Sequence, residues 1–192
     1  MGLLYGVWSQ GQIVFVDSFT TNQHNWSLPN EPLITGSIEG GVLELKGRSE
    51  ALGYFFARPI EISDSVFEFS VNLTHKGGAD NMAYGLVWGL REDNTEFNAF
   101  FISANGKYTI LRMRRGEFSE IKRWTESRFI ERDDKPNTLK IVRQGHTLRY
   151  YINDRQVLTG PYEPGRGNRM GIALYGNVKL WVDDLLVQIP EP

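Results

Sequence analysis

Apolar and polar residues alternate in short runs along this chain, broken by Gly, Pro, Asn and Asp at intervals of about 8–12 residues. The clearest run is 65–74, SVFEFSVNLT, where Phe67, Phe69, Val71 and Leu73 fall on one face and Val66, Glu68, Ser70 and Asn72 on the other. That alternation predicts a strand with one buried side. Residues 137–153, NTLKIVRQGHTLRYYIN, predict a hairpin turning at Gln144-Gly145, with Leu148, Tyr150 and Ile152 on one face and Arg149 and Tyr151 on the other. ITGSIEGGVLELKG predicts a second hairpin at Gly40-Gly41, and Asn153-Asp154 turns again into RQVLTG. IVFVDSF at 13–19 is an expected first strand, and the Asn- and Pro-rich loop after it has Trp26 as its one large anchor. In GYFFARPIEI, Pro59 lacks an N–H for a sheet ladder, which places that strand at an edge or at its own end. HKGGADN and PYEPGRGN predict loops, GEFSEIKRWTESRFIERDDKPN a short strand with a long loop, and RMGIALYG and VKLWVDDLLVQI the closing strands.

The chain is organised around Met82 to Arg115, MAYGLVWGLREDNTEFNAFFISANGKYTILRMRR. It predicts three antiparallel strands joined at Asp93-Asn94 and Asn105-Gly106, since Asn-Gly between apolar runs suits a type I′ turn. These strands alternate poorly, as strands buried on both faces do, so they belong in the middle of a sheet. With two-residue turns, one face carries the rows Trp88–Ala99–Arg112 and Tyr84–Ser103–Tyr108, with Leu86, Leu90, Phe97, Phe101, Ile110 and Arg114 nearby. The other face then holds Gly85, Val87, Gly89, Phe100, Ile102, Leu111 and Met113, a composition suited to an inter-sheet core.

Roughly a dozen strands without an amphipathic helix imply an all-β chain, an antiparallel two-sheet jelly-roll β-sandwich. Its 192 residues fit one domain over 13–192, preceded by a segment 1–12 that reads either as a truncated secretory signal or as an ordinary strand. A net charge of −2 argues against a general nucleic-acid binder. There is no cysteine, hence no disulfide framework and no thiolate metal site, and no apolar run reaches the ~18 residues of a membrane-spanning helix.

VDSF with a nearby Asn-x-x-x-Trp, YGLVWG…FNAFFISANGKYTI, NTLKIVRQGHTLRYYIND and a closing LWVDDLLV resemble the concanavalin A-like lectin/glucanase superfamily, in particular bacterial laminin-G-like jelly-roll domains. The resemblance covers about Ile13 to Ile189 and is carried by structural glycines and aromatics. It implies two stacked, curved antiparallel sheets, and glycan binding before glycan hydrolysis as an activity.

Catalysis by a carboxylate pair needs two carboxyls about 5–9.5 Å apart. The Glu-x-Asp-x-x-Glu arrangement usual in enzymes of that superfamily is absent: Glu92, Asp93 and Glu96 surround a turn, Glu131, Asp133 and Asp134 fall in a charged loop, Glu61 and Asp64 end a strand, and Glu68 stands alone. His24, His75 and His146 read as separate turn residues, and Gly165-Arg166-Gly167 as a bare turn. Asp17 and Asp183-Asp184, on terminal strands expected side by side, are candidates for a structural calcium ion or, on the simpler reading, turn caps. Asn25-Trp26-Ser27 and Asn72-Leu73-Thr74 match the glycosylation triplet. Aromatic rings take the C–H faces of sugars and arginines their hydroxyls or carboxylates, so Tyr84, Trp88, Tyr108, Arg112, Arg114 and Trp124 are the candidate ligand-binding residues. The same face can instead be core. The stretch Lys107 to Arg123 has six basic and two acidic side chains ahead of Trp124, a match for an acidic polysaccharide or a solvated strand edge. The expectation is a non-catalytic glycan-binding module of a bacterial extracellular, periplasmic or envelope protein. A polysaccharide hydrolase or lyase and an interaction domain without a sugar ligand are the alternatives.

Overall fold

The computed structural model describes residues 12–49, 53–61 and 66–189; the expectation for 1–11 and the carboxylate of Asp64 lie outside them. Numbered in chain order, the described strands form two antiparallel sheets. The nine-stranded sheet runs β13 (Arg155–Pro161), β12 (Thr147–Ile152), β11 (Pro136–Gln144), β6 (Val66–Gly78), β15 (Val178–Ile189), β4 (Val42–Gly47), β3 (Ile34–Glu39) and β2 (Asn30–Glu31), with β1 (Gln12–Asp17) also on β15. The six-stranded sheet runs β10 (Glu117–Glu126), β9 (Lys107–Arg114), β8 (Phe97–Ser103), β7 (Tyr84–Leu90), β14 (Arg169–Tyr175) and β5 (Gly53–Pro59). The chain is an all-β sandwich, as its pattern requires.

Most local signals act as their chemistry dictates. Gly40 and Gly41 (φ +62° and +81°) and Asn153 and Asp154 (+49° and +60°) take two successive left-handed conformations, as type I′ hairpins need. β5 is an edge strand and ends at Pro59. The terminal strands β1 and β15 lie side by side. Several boundaries differ, and β10 runs ten residues where a short strand was expected. β6 continues through the expected loop, pairing Gly77 with Lys179 and Gly78 with Val178, and the β11–β12 turn is Gly145-His146, one residue later than expected.

The larger correction is register. Gly106 N–H donates to Ser103 O (3.0 Å) with Gly106 at φ +89°, so Ala104 to Gly106 make a three-residue loop rather than a two-residue turn. The β7–β8 connection spans 91–96, closed by Arg91 N–H to Glu96 O (3.0 Å) with Asn94 at φ +58°. Each change slips the pairing by one residue, and a slip of one exchanges the faces of a strand. The slips cancel across β8. The rows are Trp88–Asn98–Arg112 and Tyr84–Ile102–Tyr108, so β7 and β9 share a face as expected while β8 is turned over.

That face is dry. Tyr84, Leu86, Trp88, Phe100, Ile102, Tyr108 and Ile110 pack with Phe67, Phe69, Leu139, Ile141, Tyr150 and Ile152 of the other sheet in one core. Trp88 and Phe100 both approach the Tyr150 ring (6.2 and 5.5 Å), and Tyr108 Oη donates across the gap to Val157 O (3.2 Å). Each such side chain gains about 1.5–3 kcal/mol on burial. The outer face carries a second apolar cluster of Val87, Leu90, Phe97, Ala99, Phe101 and Ala173. Among the described residues no second sheet covers it. Phe55 on β5 and Phe97 on β8 meet at 4.9 Å although β14 and β7 lie between their strands, a spacing near 14 Å in a flat sheet. The sheet is therefore strongly curved, and rings close over the small residues Ala173, Val87 and Ala99.

Asp183 lies where β15 breaks register against β6. Burial raises its pKa, opposed by the Asp184 N–H it accepts and assisted by the Asp184 charge. An acid raised on folding costs stability when ionised, and the cost disappears below the unfolded value near pH 4. Asp183→Asn should thus raise Tm at pH 7, with the gain shrinking to nothing by about pH 3. A gain that persists there, or none at pH 7, contradicts this assignment in a pH series of thermal melts.

Candidate functional site

One end of the sandwich, where β7 finishes and β6 begins, holds an open cleft of about 450 Å³. Its floor is apolar, from Ile60, Phe67, Trp88 and Met170, and its walls carry Glu61, Arg143, Tyr162 and Asn168. A second depression, bordered by Arg91, Glu92, Asp93 and Arg166, shares Gly165, Gly167 and Asn168 with the first.

The wall is the 162–168 loop between β13 and β14, held by backbone contact. Gly167 N–H donates to Gly89 O (3.2 Å). A Cβ on Gly165 would collide with the Cα of Gly89, and one on Gly167 with the carbonyl of Leu90. Gly165-Arg166-Gly167 is therefore a close-approach element rather than a bare turn. The loop is also braced through Glu163, whose Oε2 accepts from Arg112 Nη1 (2.6 Å) and Arg114 Nη2 (3.3 Å), while Arg112 Nε donates to Asn98 Oδ1 (3.0 Å). Buried Glu96 sits between Arg91 (3.6 Å) and Arg166 (3.5 Å), tying the loop to the β7–β8 connection.

Tyr162 lies under the Arg143 guanidinium, 3.7 Å from the ring centroid, and edge-on to Phe67. A cation on a ring contributes about 0.5–2 kcal/mol and holds the ring's plane. Asn168 is fixed by its backbone, since its carbonyl accepts Ile60 N–H (3.0 Å). Trp88 lines the cleft although only 3% exposed, and its indole N–H has no acceptor among the described residues. A buried donor without a partner costs about 1–3 kcal/mol. Rings, amide, carboxylate and guanidinium around an apolar floor suit a neutral, hydroxyl-bearing ligand.

Tyr84, Trp88, Tyr108 and Arg112 keep their two rows, but the six residues expected to bind ligand do not share one wet surface. Tyr84, Trp88 and Tyr108 are core residues at 1%, 3% and 5% exposure, so the wet, ring-lined trough expected on their side is absent. Trp88 lines the end cleft, at the strand end, while Arg112 and Arg114 border a separate small hollow beside Glu96 and Arg166. Arg112 and Arg114 are engaged with Glu163, and Trp124 stands exposed on edge strand β10. Glu61 follows β5, Arg143 lies on β11, and Tyr162 and Asn168 end the 162–168 loop, three segments distant in sequence, so their convergence was not legible. Their one sequence signal was the glycine pair 165 and 167.

The carboxylates that drew attention in the sequence have other partners. Asp17 accepts Phe19 N–H on Oδ1 (2.8 Å) and the Trp26 indole N–H on Oδ2 (2.7 Å), the turn-capping reading. Asn22 holds the same tryptophan through both its main-chain groups (2.7 and 3.0 Å), which explains the Asn-x-x-x-Trp spacing. Among the described residues no three His, Asp or Glu side chains gather as metal ligands.

No protein-family model and no curated protein matches the chain. Its likeness is to solved structures. The carbohydrate-binding module CBM66 from Bacillus subtilis is 18% identical, with TM-score 0.63 over 81% of this chain and 90% of that one. A Bacillus subtilis protein of unknown function with a galectin-like fold is 13% identical, with TM-score 0.70 over 96% of this chain and all of the other (100%). A GH43 protein from Bacillus licheniformis is 13% identical, with TM-score 0.65 over 91% of this chain but 39% of its own length. At these identities the likeness is one of fold, and the fold is the lectin-like β-sandwich.

Proposed function

We propose that this chain is a non-catalytic glycan-binding module of the concanavalin A-like kind, with its ligand in the end cleft rather than on a sheet face. The observation that carries the reading is the cleft itself: the Tyr162 ring held by Arg143, the polar Glu61 and Asn168, and the Trp88 donor with no acceptor among the described residues, around an apolar floor. The likeness to a module named for carbohydrate binding supports the same reading, as does a galectin-like neighbour. A bacterial extracellular or envelope setting fits a glycan ligand. The chain is proposed to act as one domain from residue 13 onward.

Tyr162→Ala and Asn168→Ala should each weaken retention on a bound neutral polysaccharide by about tenfold, the value of one lost ring or hydrogen-bond contact near 1.4 kcal/mol. Affinity electrophoresis across plant and bacterial glycans, with Tm as a folding control, is the measurement. Unchanged retention in both variants removes the cleft as the site. Among the described residues the hydrolase or lyase reading has one carboxylate, Glu61, on the cleft and Glu92 and Asp93 on the adjoining depression. Release of reducing sugar by the intact chain, abolished in Glu61→Gln, would replace binding with catalysis.

A further inference from the structure

We infer that β10, the edge of the six-stranded sheet, carries a second contact surface, one for an anionic polysaccharide, centred on Phe118, Ile121 and Trp124. Three large apolar side chains on one strand are exposed, at 56%, 39% and 41%. Single exposed apolar residues need no explanation, but a row of them on one element does.

The charge around the row selects the partner. The β9–β10 hairpin, 107–126, carries Lys107, Arg112, Arg114, Arg115, Lys122 and Arg123 against Glu117, Glu120 and Glu126, with Glu126 opposite Lys107 and Glu117 opposite Arg114, in a chain whose net charge is −2. Arg112 and Arg114 are engaged by Glu163. Arg123 meets Glu120 at 3.4 Å, but with side chains 89% and 49% exposed that pair holds little in water. Arg115 and Gly116, at φ +52° and +82°, form the β9–β10 turn and set Arg115 at its tip. The hairpin thus keeps a net positive charge, with Arg115 at its tip and Lys122 and the loosely held Arg123 on β10 for an anion to meet.

The edge is also shaped against the obvious rival, a second strand. β10 pairs with β9 alone among the described strands, but its register breaks between Glu120 and Lys122 and again between Lys122 and Thr125. Bulges twist an edge and interrupt the row of backbone groups another strand would pair with, while turning side chains outward. A sugar polymer needs no backbone ladder. It needs rings for its C–H faces and guanidinium or ammonium groups for its carboxylates or sulfates. From Phe118 to Trp124 the strand spans about 20 Å at ~3.3 Å per residue, so the surface takes several sugar units of a chain. The inference shares with the proposed function the premise that the ligands are glycans, and uses other residues.

The test is retention of the full chain on immobilised heparin and on polygalacturonate, with a neutral xylan as control. At low ionic strength the wild type should bind at least one anionic polymer and elute well before about 0.5 M salt, as screened surface charges require. Trp124→Ala should weaken that binding about fivefold and Lys122→Gln/Arg123→Gln at least about tenfold, a loss near 1.4 kcal/mol. Tyr162→Ala should leave it unchanged. Failure of the wild type to bind either polymer, or equal binding by both β10 variants with native Tm, overturns the inference. So does a dimer in light scattering that Trp124→Ala dissociates, which would make a second copy the occupant. Loss of neutral-glycan binding alone in Tyr162→Ala supports both sites; failure of the wild type to bind any neutral glycan while β10 variants still lose heparin sinks only the cleft reading.

Discussion

Trp88→Ala should destabilise the protein by about 3–5 kcal/mol, the range for a large aromatic removed from a close-packed interior. Trp88 is 3% exposed and packs against Tyr150 of the opposite sheet. Its removal opens a void between the layers where Phe100 also meets Tyr150, and closely packed neighbours collapse only partly into such a space. Urea unfolding monitored by fluorescence and circular dichroism gives the number. Trp88→Phe should cost less than half as much, because it keeps most of the apolar bulk and deletes an indole N–H that has no acceptor among the described residues. A loss below about 1 kcal/mol for Trp88→Ala, within the scatter of surface substitutions, would return this face to the surface.

The second large effect is expected at Asp17. Its 1% exposed carboxylate accepts the Phe19 amide and the Trp26 indole, and Trp26 stacks on Phe56 at 4.8 Å. Asp17→Ala strands two buried donors, each a hydrogen bond to a charged acceptor worth about 1.5–3 kcal/mol, and frees the loop that delivers Trp26 to the core. About 2–4 kcal/mol should be lost, with Asp17→Asn between it and the wild type because the amide keeps one acceptor. Equal stability of Asp17→Ala and wild type, with or without added calcium, contradicts the structural role. Recovery of a destabilised wild type by calcium alone would restore the metal reading.

The strands were legible because their signals are local. Gly40-Gly41 and Asn153-Asp154 specify type I′ hairpins from two residues each, and Phe67, Phe69, Val71 and Leu73 mark an inward face without reference to the rest of the chain. The middle of the six-stranded sheet was identified by its lack of alternation, and β7 and β8 are indeed buried on both sides. That same property hid the orientation. When both faces of a strand are apolar, composition cannot say which one meets the second sheet, and the faces of β8 hung on whether two loops held two residues or more. Leu90, Phe97 and Phe101 look like core, and they are packed, but against each other on the outside of a curved sheet.

The cleft was beyond reach for another reason. Gly89 touches Gly165, and Arg112 meets Glu163, across stretches of chain with no local relation. From the amino acids alone came the all-β class, the hairpins and the basic character of 107–123, because turn chemistry, alternation and charge act over a few residues; the pairing of first and last strands followed from the jelly-roll architecture that class implied. Only the folded chain decided which face of each strand is dry, where a cleft opens and which rings remain in water, because loop closure, sheet curvature and glycine-to-glycine contact are set by residues that meet only after the two sheets have packed.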